Sequence, residues 1–369
     1  MTALIITFIL LLVVGAPIFF AVGISASAFV LSSGSNSLAI ITQKMVDGII
    51  STTLMALPLF IYSGNLMSCG ATQRLMRFAD MILGKIPGGL GTAACGGAAF
   101  FGSVSGSAVA TSAAIGQNTA GINLMGTMWE DMGAEAILAL GDISDSAFDC
   151  AGAMGAIIPP SICFVVYASI TGASVTKMLT AGIFPGLSVV LGLIILNCFI
   201  SAKRGYGKSN YKYTAKEVLT ITLQAIPALA MPVFVLGSIM SGIATATEAA
   251  AISVIYAFLL AAFAYGEMNF KQFVEITKQS AMGTAFIFII ISASAPFGWV
   301  LAKNNIPMIL ANAILSISSS KFVITFLVVL LLIILGTFME TNSLLILLTP
   351  ILWPVMESIG YNVVHFGII

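Results

Sequence analysis

The sequence predicts an all-α protein that crosses a membrane several times on interrupted helices. Three observations predict this class. Of the 369 residues, 59% are hydrophobic and only 8% charged, against roughly 25% charge in a soluble domain. The apolar runs are continuous rather than alternating, many reach the ~20 residues that span a bilayer, and mean hydropathy is +1.10. Lipid gives backbone groups no partner outside a helix or a closed barrel, so continuous runs read as helices. Third, Gly, Pro, Ser and Thr interrupt these runs too often for simple rods.

Net charge is zero, with 14 basic and 14 acidic residues, so nothing points to nucleic acid. The cysteines Cys69, Cys95, Cys150, Cys163 and Cys198 lie in apolar stretches without a C-x-x-C pair and read as small buried hydrophobes. The one histidine, His365, argues against a His-based metal site and a Ser–His protease. No G-x-S-x-G, H-E-x-x-H or nucleotide-binding glycine loop occurs, so the chain reads as no enzyme and no ATP-driven pump.

Taken in order, residues 3–31 read as membrane segments bent near Gly15-Ala16-Pro17. Ala26-Ser27-Ala28 resembles a signal cleavage site, but the first basic residue is Lys44, and the apolar stretch exceeds a signal core of roughly 7–15 residues. Residues 37–50 are mixed and are expected to lie flat at the interface. Further apolar runs cover 49–69, 90–125, 151–171 and 178–201. Loop 71–88, with Arg74, Arg77 and Lys85, is expected on the cytoplasmic side. So is 202–217, which holds five of the 14 basic residues and divides the chain into two halves. The second half has apolar runs at 218–240, 246–265, 281–301, 305–318, 322–338 and 343–359. Thr214–Glu217 and Thr245–Glu248 have capping-box spacing. Glu267, Lys271, Glu275 and Lys278 suit a short surface helix over 266–280. Between Lys85 and Lys177 there is no cation, while Glu130, Asp131, Glu135, Asp142, Asp145 and Asp149 cluster; this reads as a solvated or cavity-lining segment.

Three constellations stand out. Gly102-Ser-Val-Ser-Gly-Ser-Ala-Val-Ala-Thr111 strings small and hydroxyl residues through an apolar context. Such residues serve close helix packing or a helix break whose oxygens line a cavity. Ala151-Gly-Ala-Met-Gly-Ala-Ile-Ile-Pro-Pro-Ser161 loses two backbone donors and disfavours helix at Ile158, so the carbonyls of Gly155 to Ile158 are candidates to stay unpaired. Gly336-Thr-Phe-Met-Glu-Thr-Asn-Ser343, followed by Thr349-Pro350, repeats the same ingredients in the second half. Paired broken segments point to a secondary transporter's midplane site. Of two acids in apolar surroundings, Glu248 is explained by its capping box, whereas Glu340 is a cavity candidate at a hairpin tip.

These stretches, with GIATATEAAA at 242–251, resemble the large membrane subunit of tripartite ATP-independent periplasmic (TRAP) transporters. The resemblance runs from the N-terminus to residue 369. It implies an elevator-type carrier of inverted repeats with re-entrant hairpins and broken helices in the bacterial inner membrane. Under it, 1–88 is scaffold, 89–201 the first transport repeat, 202–217 a cytoplasmic loop, 218–280 further scaffold and 281–369 a second, incomplete repeat. It implies sodium as coupling ion, no other cofactor, and a carboxylate-bearing organic acid delivered by a periplasmic binding protein. A small four-helix membrane subunit and the lipid bilayer complete the partners. Sodium maps to Ser105, Ser107, Gly155, Ile158 and Pro160, with a second ion near Gly336. The substrate maps to Ser103, Thr111, Ser292, Ser294, Glu340, Thr341 and Asn342. Residues 117–150 depart from the family pattern, being longer, acidic and without a basic residue. The family continues beyond residue 369 with a second proline-rich broken helix. A channel or scaffold whose breaks serve conduction or packing is the alternative.

Overall fold

The structure is a computed structural model. It describes residues 2–34, 38–112, 114, 152–204, 213–309, 312, 320–337 and 339–369. The acidic cluster at 130–149 and the basic residues Lys208 and Lys212 lie outside the described residues. The described residues fall into two compact units, each assembled from separate stretches of chain: Met1–Met55, Cys163–Met178 and Met282–Ile369 form one, and Ala56–Ile162 and Leu179–Ala281 the other.

In the first unit, α1 (Thr2–Val13) and α2 (Ile18–Ser33) are parted where Gly15 takes φ +78 and Pro17 brings no N–H. The bend expected at 15–17 is therefore a true break. Residues 39–49, expected flat at an interface, form α3 (Ala39–Ile49). Leu4, Val22, Ala26, Phe29, Val30 and Ile41 pack with Phe297, Val300, Leu301 and Leu347 into one apolar core. A methyl built on Gly48 would lie 2.5 Å from the Ala295 Cβ. The glycine thus lets α3 come close to the helix carrying Ala295, as small residues do where lipid removes the hydrophobic drive between helices.

In the second unit, α4 (Ala56–Ser68), α5 (Ala71–Leu83) and α6 (Gly89–Ser105) follow in sequence. The apolar run expected from 49 becomes helical only at Ala56; a turn occupies Thr52–Met55. Helix α5 is amphipathic: Leu75, Met76 and Ala79 are buried while Gln73 and Arg77 are exposed. Its buried Asp80 accepts a 2.6 Å hydrogen bond from the Tyr213 hydroxyl. Helix α6 is seated by glycines. Methyls on Gly96 and Gly97 would collide with Leu83 and Met76 of α5, and one on Gly64 of α4 would lie 2.8 Å from the Ser105 backbone.

A short α7 (Met154–Ile157) ends at the tandem prolines, where Ile158 is extended at φ −79, ψ 123, as a residue before proline prefers. The Pro159–Pro160 bond is cis. The chain resumes as α8 (Ile162–Thr171) and α9 (Val175–Arg204). Both predicted capping boxes form, at the starts of α10 (Ala215–Met240) and α11 (Ala246–Leu259), the latter extended by a π-turn at Leu260–Ala264.

The short surface helix expected over 266–280 is not separate. α12 runs unbroken from Phe270 to Lys303. Asn269 and Gln272 exchange backbone–side-chain hydrogen bonds of 2.8 and 2.9 Å at its start, and no Gly–Pro pair stops the helix as it enters the apolar run. The second hairpin is α13 (Lys321–Gly336) and α14 (Thr341–Ser358), followed by α15 (Val363–Ile368). Pro350 and Pro354 sit inside α14 without ending it; the interruption falls at 337–340. Among the described residues, Val175–Lys203, Ala215–Met240, Ala246–Ala264 and Phe270–Lys303 are long and apolar enough to cross a membrane. Exposed apolar side chains such as Phe184, Phe199 and Val233 give these helices a surface suited to lipid.

Candidate functional site

The first and second constellations meet in the second unit. Gly106 ends α6 in the left-handed region, at φ +64, and returns its N–H to the Gly102 carbonyl at 2.9 Å. That turn lets the chain double back into a second helical stretch at 108–112. The Gly106 carbonyl then accepts the Ile162 N–H at 3.0 Å, tying the hairpin tip to the first residue of α8. The approach is close enough that side chains are excluded. A methyl on Gly106 would overlap the Pro160 carbonyl oxygen, and one on Gly102 would lie 2.9 Å from the Gly155 Cα. A methyl on Gly155 would overlap the Thr111 hydroxyl and sit 2.5 Å from the Ser107 carbonyl oxygen.

Inside this junction, Ser105 Oγ and Thr111 Oγ1 lie 2.9 Å apart, and Thr111 Oγ1 donates to the Ser107 carbonyl at 2.8 Å. Ser107 Oγ accepts the Ala110 N–H at 3.3 Å. Ser105 is 3% exposed and Thr111 fully buried. The oxygens gathered here are neutral: the hydroxyls of Ser105, Ser107 and Thr111, the Ser107 carbonyl beside Gly155 and the Pro160 carbonyl beside Gly106. Hydroxyl and carbonyl oxygens suit a hard cation rather than a soft transition metal. Among the described residues, no group of three His, Cys, Asp or Glu is placed to hold a metal ion. Oxygens at a helix break are the kind of lining with which transporters hold alkali cations.

The remaining predicted residues separate. Ile158 lies in the break itself and packs with Met154 and Val190. The Ala156 carbonyl, one of those expected to stay unpaired, accepts the Ser161 hydroxyl. Ser103 turns its hydroxyl back onto the Phe100 carbonyl of its own helix at 2.7 Å. Thr111, assigned to the substrate, hydrogen-bonds within the Ser105–Ser107 cluster.

The other candidates belong to the first unit. Gly336 ends α13 with open space around it. Glu340 does occupy the hairpin turn, but it has the structural role that the sequence did not credit it with. It caps α14, accepting from the Ser343 N–H at 3.0 Å, the Ser343 hydroxyl at 3.2 Å and the Asn342 amide at 2.8 Å. Asp and Glu at helix starts satisfy otherwise orphaned donors. Thr341 is the exposed first residue of that helix. Asn342 also lies 3.4 Å from Cys163 Sγ, a neighbour that no sequence pattern marked. Ser292 of α12 donates to the Met45 carbonyl of α3 at 3.0 Å. Ser294 is 6% exposed, and its hydroxyl has no hydrogen-bond partner among the described residues.

The comparisons with known proteins agree with this architecture. A family model described as "Tripartite ATP-independent periplasmic transporter, DctM component" matches residues 5–369. The chain belongs to this family. It is similar to the isethionate TRAP transporter permease protein DctMQ of Oleidesulfovibrio alaskensis, at 36% identity over 98% of this chain and 55% of that protein. It is similar to the sialic acid TRAP transporter large permease protein SiaM of Vibrio cholerae, at 34% over 97% of this chain and 81% of the relative. The C4-dicarboxylate TRAP transporter large permease protein DctM of Rhodobacter capsulatus is 32% identical over 100% of this chain and 85% of its own length. The chain thus spans about half of the first relative and about four-fifths of the other two. As a DctM-family permease it is a multi-pass protein of the bacterial inner membrane and a transporter rather than an enzyme.

Proposed function

We propose that this DctM-family chain is the transport subunit of a sodium-coupled carrier that imports an organic acid. The observation that carries the reading is the junction of Gly106, Ser105, Ser107, Thr111, Gly155 and Pro160, where neutral oxygens converge at a broken helix. Relatives named for isethionate, sialic acid and C4-dicarboxylates support an organic anion as the cargo. Sodium held at the junction would place positive charge near the hairpin tip, where an acid's negative charge gains from it in a low-dielectric setting. Ion binding would also hold the tip at Ile162, in addition to the Gly106–Ile162 bond, so the liganded hairpin stays closed. A second ion near Gly336, and a substrate site drawing on Glu340, Thr341, Asn342, Ser292 and Ser294, belong to the same proposal. So do a small four-helix membrane subunit, a periplasmic binding protein that hands over the acid, and the division of the chain into two transport repeats. The test is uptake by proteoliposomes holding the full complex with its cognate binding protein. An inward sodium gradient should drive accumulation, and potassium should not replace it. Uptake indifferent to sodium overturns the coupling; a non-saturating conductance without the binding protein would mark a channel.

A further inference from the structure

We infer that Thr111 is a positioning residue of the proposed ion site, ordering the protons so that Ser105 Oγ presents lone pairs to the cation. The inference rests on the sodium reading above.

The argument is one of donors and acceptors. The Ser107 carbonyl can only accept, and it receives two donors from one residue: the Thr111 N–H at 3.0 Å and the Thr111 hydroxyl at 2.8 Å. With its proton spent there, Thr111 Oγ1 is an acceptor toward Ser105 Oγ, 2.9 Å away. A hydroxyl carries one proton and two lone pairs, so the Ser105 proton points at Thr111. One Ser105 lone pair faces the Ser107 N–H at a long 3.4 Å, and the other has no donor among the described residues. An oxygen oriented this way is a cation ligand before the cation arrives, which reduces the cost of ordering on binding.

Without the Thr111 hydroxyl, the order fails in a specific way. The next acceptor for the Ser105 proton is the Ser107 carbonyl at 3.5 Å. Turning there moves the Ser105 lone pairs off their present direction. Thr111 itself is fully buried, which keeps water from competing for its hydroxyl. Its place is held from the far side by Gly155, where any side chain would overlap the Thr111 hydroxyl.

The test compares the wild-type complex with Thr111→Val, Thr111→Ala and Thr111→Ser. Two quantities are measured: the sodium-dependent rise in melting temperature of the purified protein, and half-saturating sodium and lithium for uptake in proteoliposomes. Val and Ala should raise half-saturating sodium by about tenfold, the equivalent of one lost hydrogen bond to a charged site, shrink the sodium-dependent melting shift and alter the sodium-to-lithium ratio. Ser, which keeps the hydroxyl, should stay within about twofold of wild type. A merely structural threonine would lower the melting temperature without sodium and leave the ion ratio unchanged. Ion affinities and ratio unchanged in Val and Ala overturn the inference while wild-type sodium dependence leaves the transport reading standing. A wild type that shows neither a sodium-dependent melting shift nor sodium-dependent uptake overturns the sodium reading itself, and the inference with it.

Discussion

Gly155→Ala is the most direct probe of the junction. Only one methyl is added, yet it falls on the Thr111 hydroxyl, 2.5 Å from the Ser107 carbonyl oxygen and 2.8 Å from the Ser107 carbonyl carbon. The last two are backbone atoms, so the collision cannot be relieved by swinging a flexible side chain. Overpacking of this kind costs about 1–3 kcal/mol. If the hairpin recoils from α7 to relieve it, the same energy is withdrawn from the closed, ion-binding geometry. At 1.4 kcal/mol per tenfold, half-saturating sodium should rise by roughly 5- to 150-fold. The assay is sodium-dependent uptake in proteoliposomes, paired with melting of the purified protein with and without sodium. Gly192→Ala and Gly237→Ala are the controls, because a methyl at either meets nothing within 4 Å. Both lie within helices, where alanine is favoured over glycine by roughly 0.5–1 kcal/mol, so they should leave sodium affinity alone and not lower stability. Sodium half-saturation in Gly155→Ala equal to that of the controls would refute the reasoning.

Ser294→Ala removes a buried hydroxyl without a partner among the described residues, whose burial costs about 1–3 kcal/mol; the variant should melt at a higher temperature than wild type. If it melts higher but loses uptake, the hydroxyl serves the substrate. A lower melting temperature would contradict the description of the hydroxyl as orphaned. Burial pushes the Asp80 carboxyl above its ordinary value of 3.8, and the Tyr213 hydrogen bond pulls it partway back. An acid raised on folding stabilises the protein in its protonated form, so its contribution is complete below pH ~3.8 and is lost as pH rises through the elevated folded value. Asp80→Asn should therefore be the more stable protein at neutral pH, with a difference that shrinks toward pH 4; melting across that range checks it, and a difference that grows toward acid would reverse the assignment.

What could be read from the sequence was whatever is decided within one helical turn. Thr214–Glu217 and Thr245–Glu248 cap their helices as spacing alone says, and Pro159-Pro160 stops α7 where proline chemistry requires. The same local grammar is present in Asn269–Gln272 and in Glu340–Ser343, where the side chains involved are less distinctive and spacing alone does not mark them as caps. The unit boundaries were harder still, because each unit is stitched from distant stretches of chain. The site divides along the same line. That Ser105, Ser107 and Gly155 belong together is what the family resemblance implies; small size and the breaks beside them mark the two stretches without pairing them. That Thr111 joins them does not follow from spacing. Its hydroxyl is aimed inward only because Gly106 reverses the chain at φ +64, and a turn of that kind places residues six apart face to face. Ser103, two residues before Ser105, points onto its own helix instead.

The root of α6 is held as firmly as its tip. Asn197 of α9 donates to the Gly88 carbonyl at 3.2 Å and to Thr92 Oγ1 at 2.8 Å, with Gly88 and Gly91 leaving room for it. At the other end, Gly106 is bonded to Ile162. A beam pinned at both ends and lined with glycine in between transmits load rather than absorbing it. Moving α6 as a rigid body would either break the buried Asn197 hydrogen bonds at the root or carry the 30-residue α9 along with it. The two ends of α6 are thereby tied to the helix break on one side and, on the other, to a rod long enough to reach across the bilayer.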